Sequence, residues 1–129
     1  MNLLADEAGK VVEGELYGAT LYELEPGRSS PYHWHAGEEE FLVVVSGTPT
    51  LRTPEGEREL RPWDAAWFVR GEAGAHQLRN DTDGPARVLF FSTRSDPELA
   101  VYPDDGKVGV IADWSTDDRE TKRGWVELE

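Results

Sequence analysis

The chain has 129 residues, no cysteine, and a formal net charge of −13 from 26 acidic and 13 basic residues. A chain of this length forms one domain with its own core. The absence of cysteine excludes disulfides and thiolate metal sites and favours the cytoplasm. The negative charge disfavours nucleic acid and anionic membranes as partners. We expect neither a secretory signal nor a membrane span, because the longest apolar run, residues 41–45, is far below the roughly 20 residues of a membrane helix.

Short apolar or alternating segments, separated by Gly, Pro, Asn and Asp, predict β-strands along most of the chain. The predicted strands are, in chain order, Leu16–Leu24, Tyr32–His35, Glu40–Val45, Thr50–Thr53, Glu57–Leu60, Ala65–Val69, His76–Asn80 and Arg87–Thr93. No long segment before residue 95 keeps a helical period, which argues against alternating strands and helices. The pattern therefore predicts an all-β sandwich or small barrel.

The last part of the chain has a different character. We predict that residues 1–95 form the barrel with its N-terminal strand, and that residues 96–129 form a C-terminal arm. This arm contains one or two short extended pieces, and we expect it to pack on the barrel or on a partner subunit. The segment 104–106, Asp-Asp-Gly, resembles a calcium loop only faintly because the later acidic ligand is missing, and it is interpreted as a β-turn.

Two of the three histidines, His33 and His35, are one residue apart. Residues at this spacing point to the same face of a strand. Glu40 opens the next strand after a turn that contains Gly37, and His76 begins a later strand. Three imidazoles and one carboxylate suit a divalent transition metal and leave positions open for water or substrate. The alternative interpretation is a pair of surface histidines followed by a solvated loop of glutamates.

The spacing of this segment resembles the first conserved motif of the cupin superfamily. Gly27 is followed by His33 and His35, then by Glu40, and the motif closes at Gly47. The resemblance implies a double-stranded β-helix, the cupin or jelly-roll barrel, of the kind found in small single-domain bacterial cupins. It also implies that the two histidines and the glutamate bind a metal.

The second cupin motif is present with departures. His76 and Asn80 have the spacing of that motif, whereas Trp63-Asp64 stands where the family usually has Gly-Asp. Glu39 is the alternative ligand to Glu40 if the register differs by one residue. The metal implied is one divalent transition ion: Fe, Mn, Ni, Zn or Cu. The implied ligand set is His33, His35, Glu40 and His76.

Strand alternation predicts a largely apolar pocket around this site. The residues predicted to line it are Leu42, Val44, Trp67, Leu78 and Asn80. Ala66 and Phe68 are the alternative to Trp67 if the other face of that strand points inward. The other face of the apolar run 41–45 also needs a cover, which either the C-terminal arm or a second subunit would supply. Because cupins commonly dimerise, the resemblance implies a homodimer.

The function implied is a metal-dependent enzyme, dioxygenase-like or isomerase-like, that acts on a small organic molecule in the barrel. The alternative is a non-catalytic cupin that binds a small molecule or a metal as a sensor or store. No catalytic residue is assigned, because the same ligands support many reactions on this fold. The acidity of the chain disfavours the sugar-phosphate isomerases of the superfamily.

Overall fold

The structure is a computed structural model, and it describes residues 11–112 and 122–128. These residues form an all-β fold in which the only helical piece is one 3₁₀ turn at Glu72–Gly74. The strands are β1 Val11–Glu13, β2 Tyr17–Leu24, β3 Trp34–His35, β4 Glu40–Ser46, β5 Thr50–Thr53, β6 Gly56–Glu59, β7 Ala65–Phe68, β8 Gln77–Arg79, β9 Ala86–Thr93, β10 Glu98–Tyr102, β11 Lys107–Ala112 and β12 Lys122–Glu127. None of the described residues belongs to a helix long and apolar enough to cross a membrane.

The strands make three antiparallel sheets. The largest has the order β1-β2-β9-β4-β7, and the smaller ones have the orders β6-β5-β8 and β12-β11-β10-β3. Isolated bridges, Ser29 with Arg79 and His33 with His76, connect the two smaller sheets along the segment that precedes β3. Buried apolar residues from the five-stranded and three-stranded sheets form one core, including Leu24, Leu51 and Val88. This is the double-stranded β-helix that the sequence predicts.

Each of the eight predicted strands overlaps one of the strands β2 to β9. The main differences lie at the histidines, because His33 and His76 come just before β3 and β8 rather than inside longer strands. The two residues exchange backbone hydrogen bonds, His33 N–H to His76 O at 3.1 Å and His76 N–H to His33 O at 3.0 Å. Two distant parts of the chain are thereby held side by side at the site.

Trp63 shows how the chain accommodates its departure from the second cupin motif. Its φ is 72°, a left-handed conformation that favours glycine, and the family usually has glycine at this position. The indole is 77% exposed, so it adds no crowding to the turn, but the backbone of a residue with a Cβ is strained at this φ. Asp64 closes the turn by accepting a hydrogen bond from Arg61 N–H at 2.8 Å.

The strands β10 and β11 form a hairpin that extends the sheet containing β3. Ala100 pairs with His35 and Val101 pairs with Trp34. The turn at residues 103–106 confirms the β-turn that the sequence predicts. Its Asp104 carboxylate accepts two hydrogen bonds from Arg52 on β5, at 2.6 and 3.2 Å. The hairpin is thus paired through β10 with β3, the strand that carries His35, and its turn is bonded to β5.

Candidate metal centre

The imidazoles of all three histidines converge on one carboxylate oxygen. Glu40 Oε1 lies 2.7 Å from His35 Nε2, 3.2 Å from His76 Nε2 and 3.9 Å from His33 Nε2. Bonds of about 2.0–2.2 Å from a transition metal to nitrogen and oxygen ligands place neighbouring ligand atoms roughly 3–3.5 Å apart. Ligand atoms of His33, His35 and Glu40 all lie within 4.8 Å of one another. His76 joins this group through its 3.2 Å contact with Glu40.

Backbone carbonyl groups orient two of the imidazoles. His33 Nδ1 lies 2.9 Å from Pro31 O, and His76 Nδ1 lies 2.9 Å from Gly74 O. A carbonyl oxygen can only accept a hydrogen bond, so each Nδ1 carries the proton and donates it. The Nε2 lone pair of each ring is then free and directed at Glu40. Histidines that bind metals in proteins commonly have this arrangement.

The inward-facing atoms of the site lack ordinary partners. His35 Nε2, His76 Nε2 and Glu40 Oε1 are buried, and none of them forms a hydrogen bond of acceptable geometry despite the short distances between them. Buried polar atoms without a hydrogen bond cost about 1–3 kcal/mol each. The charge pairing of His35 Nε2 with Glu40 Oε1 at 2.7 Å offsets part of this cost, and His76 Nε2 has no such compensation of its own. A divalent cation among them would satisfy all three. The donor set of three imidazoles and a carboxylate fits a transition metal.

The electrostatics of the site follow from burial and close contact. Burial, reinforced by the neighbouring His76, lowers the pKa of His33 to about 4. Burial also acts to lower the pKa of His35, but the carboxylates of Glu40 and Glu98 outweigh it and raise that pKa to about 10. For Glu40, burial acts to raise the pKa, and contacts with His35 and His76 instead hold it well below its usual range. Without metal, the centre therefore contains a His35 imidazolium paired with the Glu40 carboxylate.

The structure distinguishes the neighbouring glutamates. Glu40 points inward to the histidines, whereas Glu39 lines a groove on the outer face of the sheet beside Phe41 and Trp67. Alternation along the strand separates the two side chains, and the register alternative Glu39 lies away from the site. Glu38 is half-buried, and burial together with nearby Glu98 raises its pKa to about 7.

A cavity of about 280 Å³ opens next to the centre. It is large enough for a small organic molecule. Its lining residues are Thr20, Tyr22, Ser30, Pro31, His33, Glu40, His76, Leu78 and Phe90. Sequence reasoning missed Thr20, Tyr22, Ser30, Pro31 and Phe90. Thr20 pairs with Phe90, and Phe90 with Leu42, across the sheet. Thr20, Tyr22 and Phe90 lie on predicted strands, so strand alternation could have placed them on the inner face.

Of the five residues predicted to line the pocket, only Leu78 does so. Leu42 and Val44 do face inward, but they are fully buried in the apolar core and do not reach the cavity. Asn80 is also fully buried, and its amide donates hydrogen bonds to Leu24 O and Gly84 O, both at 2.8 Å. Asn80 therefore joins the end of β2 to the turn that contains Gly84 and does not face a ligand.

The prediction of Trp67 as a pocket residue is wrong, and strand register explains why. Glu40 pairs with Phe68 and Phe41 pairs with Trp67. Phe68 therefore shares the inner face with Glu40, and Trp67 shares the outer face with Phe41. The Trp67 side chain is 61% exposed, and its ring contacts Phe41 at a centroid distance of 5.8 Å. Phe68 stacks on His76 instead, with ring centroids 3.8 Å apart.

Comparison with known proteins supports the relationship that the motifs indicate. Residues 20–92 match the family model of the Cupin_2 cupin domain. Over 68 residues the chain is 32% identical to the tetracenomycin polyketide synthase protein TcmJ of Streptomyces glaucescens. That alignment covers 53% of this chain and 44% of TcmJ, so the match spans less than half of that curated relative.

Two solved structures are similar over a larger share of the chain. A sugar phosphate isomerase of the cupin superfamily from Silicibacter pomeroyi superposes with a TM-score of 0.77 at 31% identity, covering 87% of this chain and 68% of its own. A putative sugar phosphate isomerase from Acidithiobacillus ferrooxidans gives a TM-score of 0.73 at 28% identity, and the match covers 87% of this chain and 67% of that protein. With the family match over more than half of its length, the chain belongs to the cupin family.

Proposed function

We propose that this protein is a metal-dependent enzyme in which His33, His35, Glu40 and His76 hold one divalent transition metal. One observation supports the proposal above the others. The three Nε2 atoms meet at Glu40 Oε1, while carbonyl groups occupy the Nδ1 atoms of His33 and His76. When bound, such a metal would supply Lewis-acid or oxygen-activating chemistry beside the cavity.

We further propose that the substrate is a small organic molecule with little negative charge. Among the described residues, those lining the cavity include no lysine or arginine that would pair with a phosphate. The lining combines apolar Leu78 and Phe90 with the hydroxyl-bearing side chains of Thr20 and Tyr22. An aromatic or enolic molecule fits this lining better than a sugar phosphate. The partial similarity to a polyketide synthase protein agrees with this choice, whereas the similarity to two sugar phosphate isomerases favours the other substrate class.

The cavity residues have separate tasks in this proposal. Leu78 and Phe90 exclude water and contact the apolar part of the substrate. Thr20 and Tyr22 offer hydroxyl groups that orient its polar atoms. The fixed carbonyl contacts of His33 and His76 keep the ligand set in place during the reaction.

Metal analysis followed by a turnover screen tests the proposal. The protein is stripped with a chelator, reloaded separately with Fe, Mn, Ni, Zn and Cu, and its metal content is measured. We expect about one metal per chain and its loss from the His33→Ala/His35→Ala double variant. The loaded forms are then incubated with polyphenols, enols and sugar phosphates while oxygen uptake and product formation are followed. Binding of none of the five metals would overturn the proposal.

The non-catalytic alternative predicts a different outcome of the same screen. A sensor or storage cupin would bind a small molecule at the metal without converting it. One related structure is the cupin domain of an XRE family transcriptional regulator from Enterobacter cloacae, at 25% identity and a TM-score of 0.54. Tight binding of a polyphenol without oxygen uptake or isomerisation would favour this alternative.

The homodimer remains a prediction. The outer face of the five-stranded sheet exposes Trp67 by 61% and Phe91 by 37%, and Phe41 contacts both rings. A second copy that packed on this face would bury these rings. Light scattering on the eluting protein at micromolar concentration should give twice the 14.4 kDa chain mass, and a value near 14.4 kDa would contradict the dimer.

A further inference from the structure

Glu98 is a buried acidic residue from outside the segment that matches the cupin family model. It is the first residue of β10, and its exposed fraction is 3%. A buried carboxylate is costly unless other groups pair with it. The matched segment ends at residue 92, so neither cupin motif accounts for this residue.

The carboxylate of Glu98 faces the outer nitrogen of a candidate metal ligand. Its Oε1 lies 3.4 Å from His35 Nδ1, on the opposite side of the ring from Glu40. This distance exceeds that of a good hydrogen bond, and the contact in this structure is an ion pair. His35 Nδ1 is buried and has no other hydrogen-bond partner among the described residues.

Groups around Glu98 hold its carboxylate in this position. The hydroxyl of Ser95 donates a hydrogen bond to Oε2, and the N–H of Gly37 lies 3.4 Å from Oε1. Gly37 has no side chain to obstruct the contact. A Cβ there would lie 2.5 Å from Ser95 Oγ and 2.8 Å from Glu98 Oε2, which is too close for either atom to stay in place.

We infer that Glu98 is a positioning residue of the metal centre, whose carboxylate accepts the Nδ1 proton of His35 and directs His35 Nε2 at the metal. The inference rests on the proposed metal site. It gives all three histidines an acceptor at Nδ1, two from the backbone and one from Glu98. A carboxylate acceptor also makes the imidazole more basic and a stronger ligand.

The test measures zinc affinity by chelator competition for the wild type, Glu98→Gln and Glu98→Ala. Loss of such a partner typically weakens metal binding about 10–100-fold, and we expect both variants to fall in this range. Glu57→Gln is the remote control because Glu57 is exposed and pairs with Arg79. It should bind zinc within twofold of the wild type. Glu38→Gln changes the other carboxylate group whose ligand atom lies within 4.8 Å of those of His35 and Glu98, and it should weaken binding less than Glu98→Gln does.

A spectroscopic measurement separates positioning from simple structural support. In the zinc-loaded wild type, nitrogen-proton NMR correlations should show a hydrogen-bonded Nδ1–H on His35. In Glu98→Gln this proton should shift upfield, while those of His33 and His76 stay in place. If Glu98→Ala fails to fold, Glu98→Gln alone decides the question.

The possible failures can be told apart. A wild type that binds no zinc overturns the metal centre and this inference with it. A wild type that binds zinc, with Glu98→Gln within twofold of it, overturns only the role of Glu98. Equal weakening by Glu38→Gln and Glu98→Gln, with the His35 proton unchanged, also overturns it, because net charge would then explain the loss.

Discussion

The family-matched barrel segment and the β10–β11 hairpin contribute different parts of the centre. The barrel segment, residues 20–92, supplies all four candidate ligands. The hairpin supplies no ligand, but Glu98 faces His35 and Tyr102 stacks on His33 with ring centroids 5.5 Å apart. In the proposed centre the shared motif supplies the ligand atoms, and the hairpin contacts the rings that carry two of them.

The largest expected effect belongs to the barrel segment. Glu40→Gln should weaken zinc binding by more than about 100-fold, because it removes a ligand charge rather than a supporting contact. Glu39→Gln is the matched control, since its side chain lies in the outer groove. It should bind zinc within twofold of the wild type in the same chelator competition. Equal losses in the two variants would contradict the choice of Glu40.

The pH dependence of the metal-free protein tests both regions through His35. Contacts with Glu40 and Glu98 raise the pKa of His35 from 6.5 to about 10, after burial has acted to lower it. The folded state therefore holds one more proton than the unfolded state across this range. This stabilisation is complete below pH 6.5 and is lost as the pH rises toward 10, at up to about 1.4 kcal/mol per pH unit.

Urea unfolding of the metal-free protein between pH 7 and 9.5 measures this slope. The free energy of unfolding of the wild type should fall with rising pH, and His35→Gln should flatten the curve. Zinc must displace the same proton, so binding at pH 7.5 should release about one proton, which calorimetry in buffers of different ionisation enthalpy detects. A free energy of unfolding of the wild type that rises between pH 7 and 9.5 would contradict the presence of a His35 imidazolium in the folded protein.

A smaller effect is expected where the hairpin meets the barrel segment. Gly37→Ala introduces a Cβ 2.5 Å from Ser95 Oγ and 2.8 Å from Glu98 Oε2, so these side chains must shift and we expect the contact of Glu98 with His35 to be disturbed. Zinc affinity should then fall roughly 10-fold. Gly84→Ala is the matched control, because a Cβ there meets no atom within 4 Å and φ at this residue is not left-handed. Equal zinc affinities of Gly37→Ala and Gly84→Ala would show that the position of Glu98 does not affect zinc binding.

The smallest effect is expected at the aromatic contact of the hairpin. Tyr102→Leu keeps apolar bulk but removes the ring that stacks on His33. An aromatic pair is worth about 0.5–1.5 kcal/mol, which corresponds to a roughly 2–10-fold loss of zinc affinity. Trp125→Leu controls for the other ring that Tyr102 touches. If Trp125→Leu lost as much zinc affinity as Tyr102→Leu, packing within the hairpin, and not the ring stacked on His33, would explain the loss.

Sequence alone predicted the barrel strands and all four converging residues, because strand alternation and motif spacing are local signals. The pocket was harder to predict. The face on which Trp67 lies depends on its pairing with Phe41, which only the register between β4 and β7 determines. Asn80 was assigned to the pocket because it shares a strand face with His76, yet its amide donates hydrogen bonds to Leu24 O at the end of β2 and to Gly84 O in the following turn.

The contacts of the hairpin could not be predicted from the sequence, because they also depend on which strands pair. Glu98 and His35 are 63 residues apart, and nothing in the local pattern of β10 indicates which strand it will pair with. An acidic residue in a highly charged chain is normally solvated, so composition also gave no reason to place Glu98 in the interior. The tertiary pairing of β10 with β3 is what buries it.

Anomalous diffraction from crystals loaded with zinc or cobalt tests the central claim most directly. We expect a single strong peak per chain within about 2.0–2.2 Å of Glu40 Oε1 and of the Nε2 atoms of His33, His35 and His76. A peak on the other side of the His35 ring, between Glu38 and Glu98, would contradict the proposed ligand set. The complete absence of a peak at this centre would refute the metal site itself.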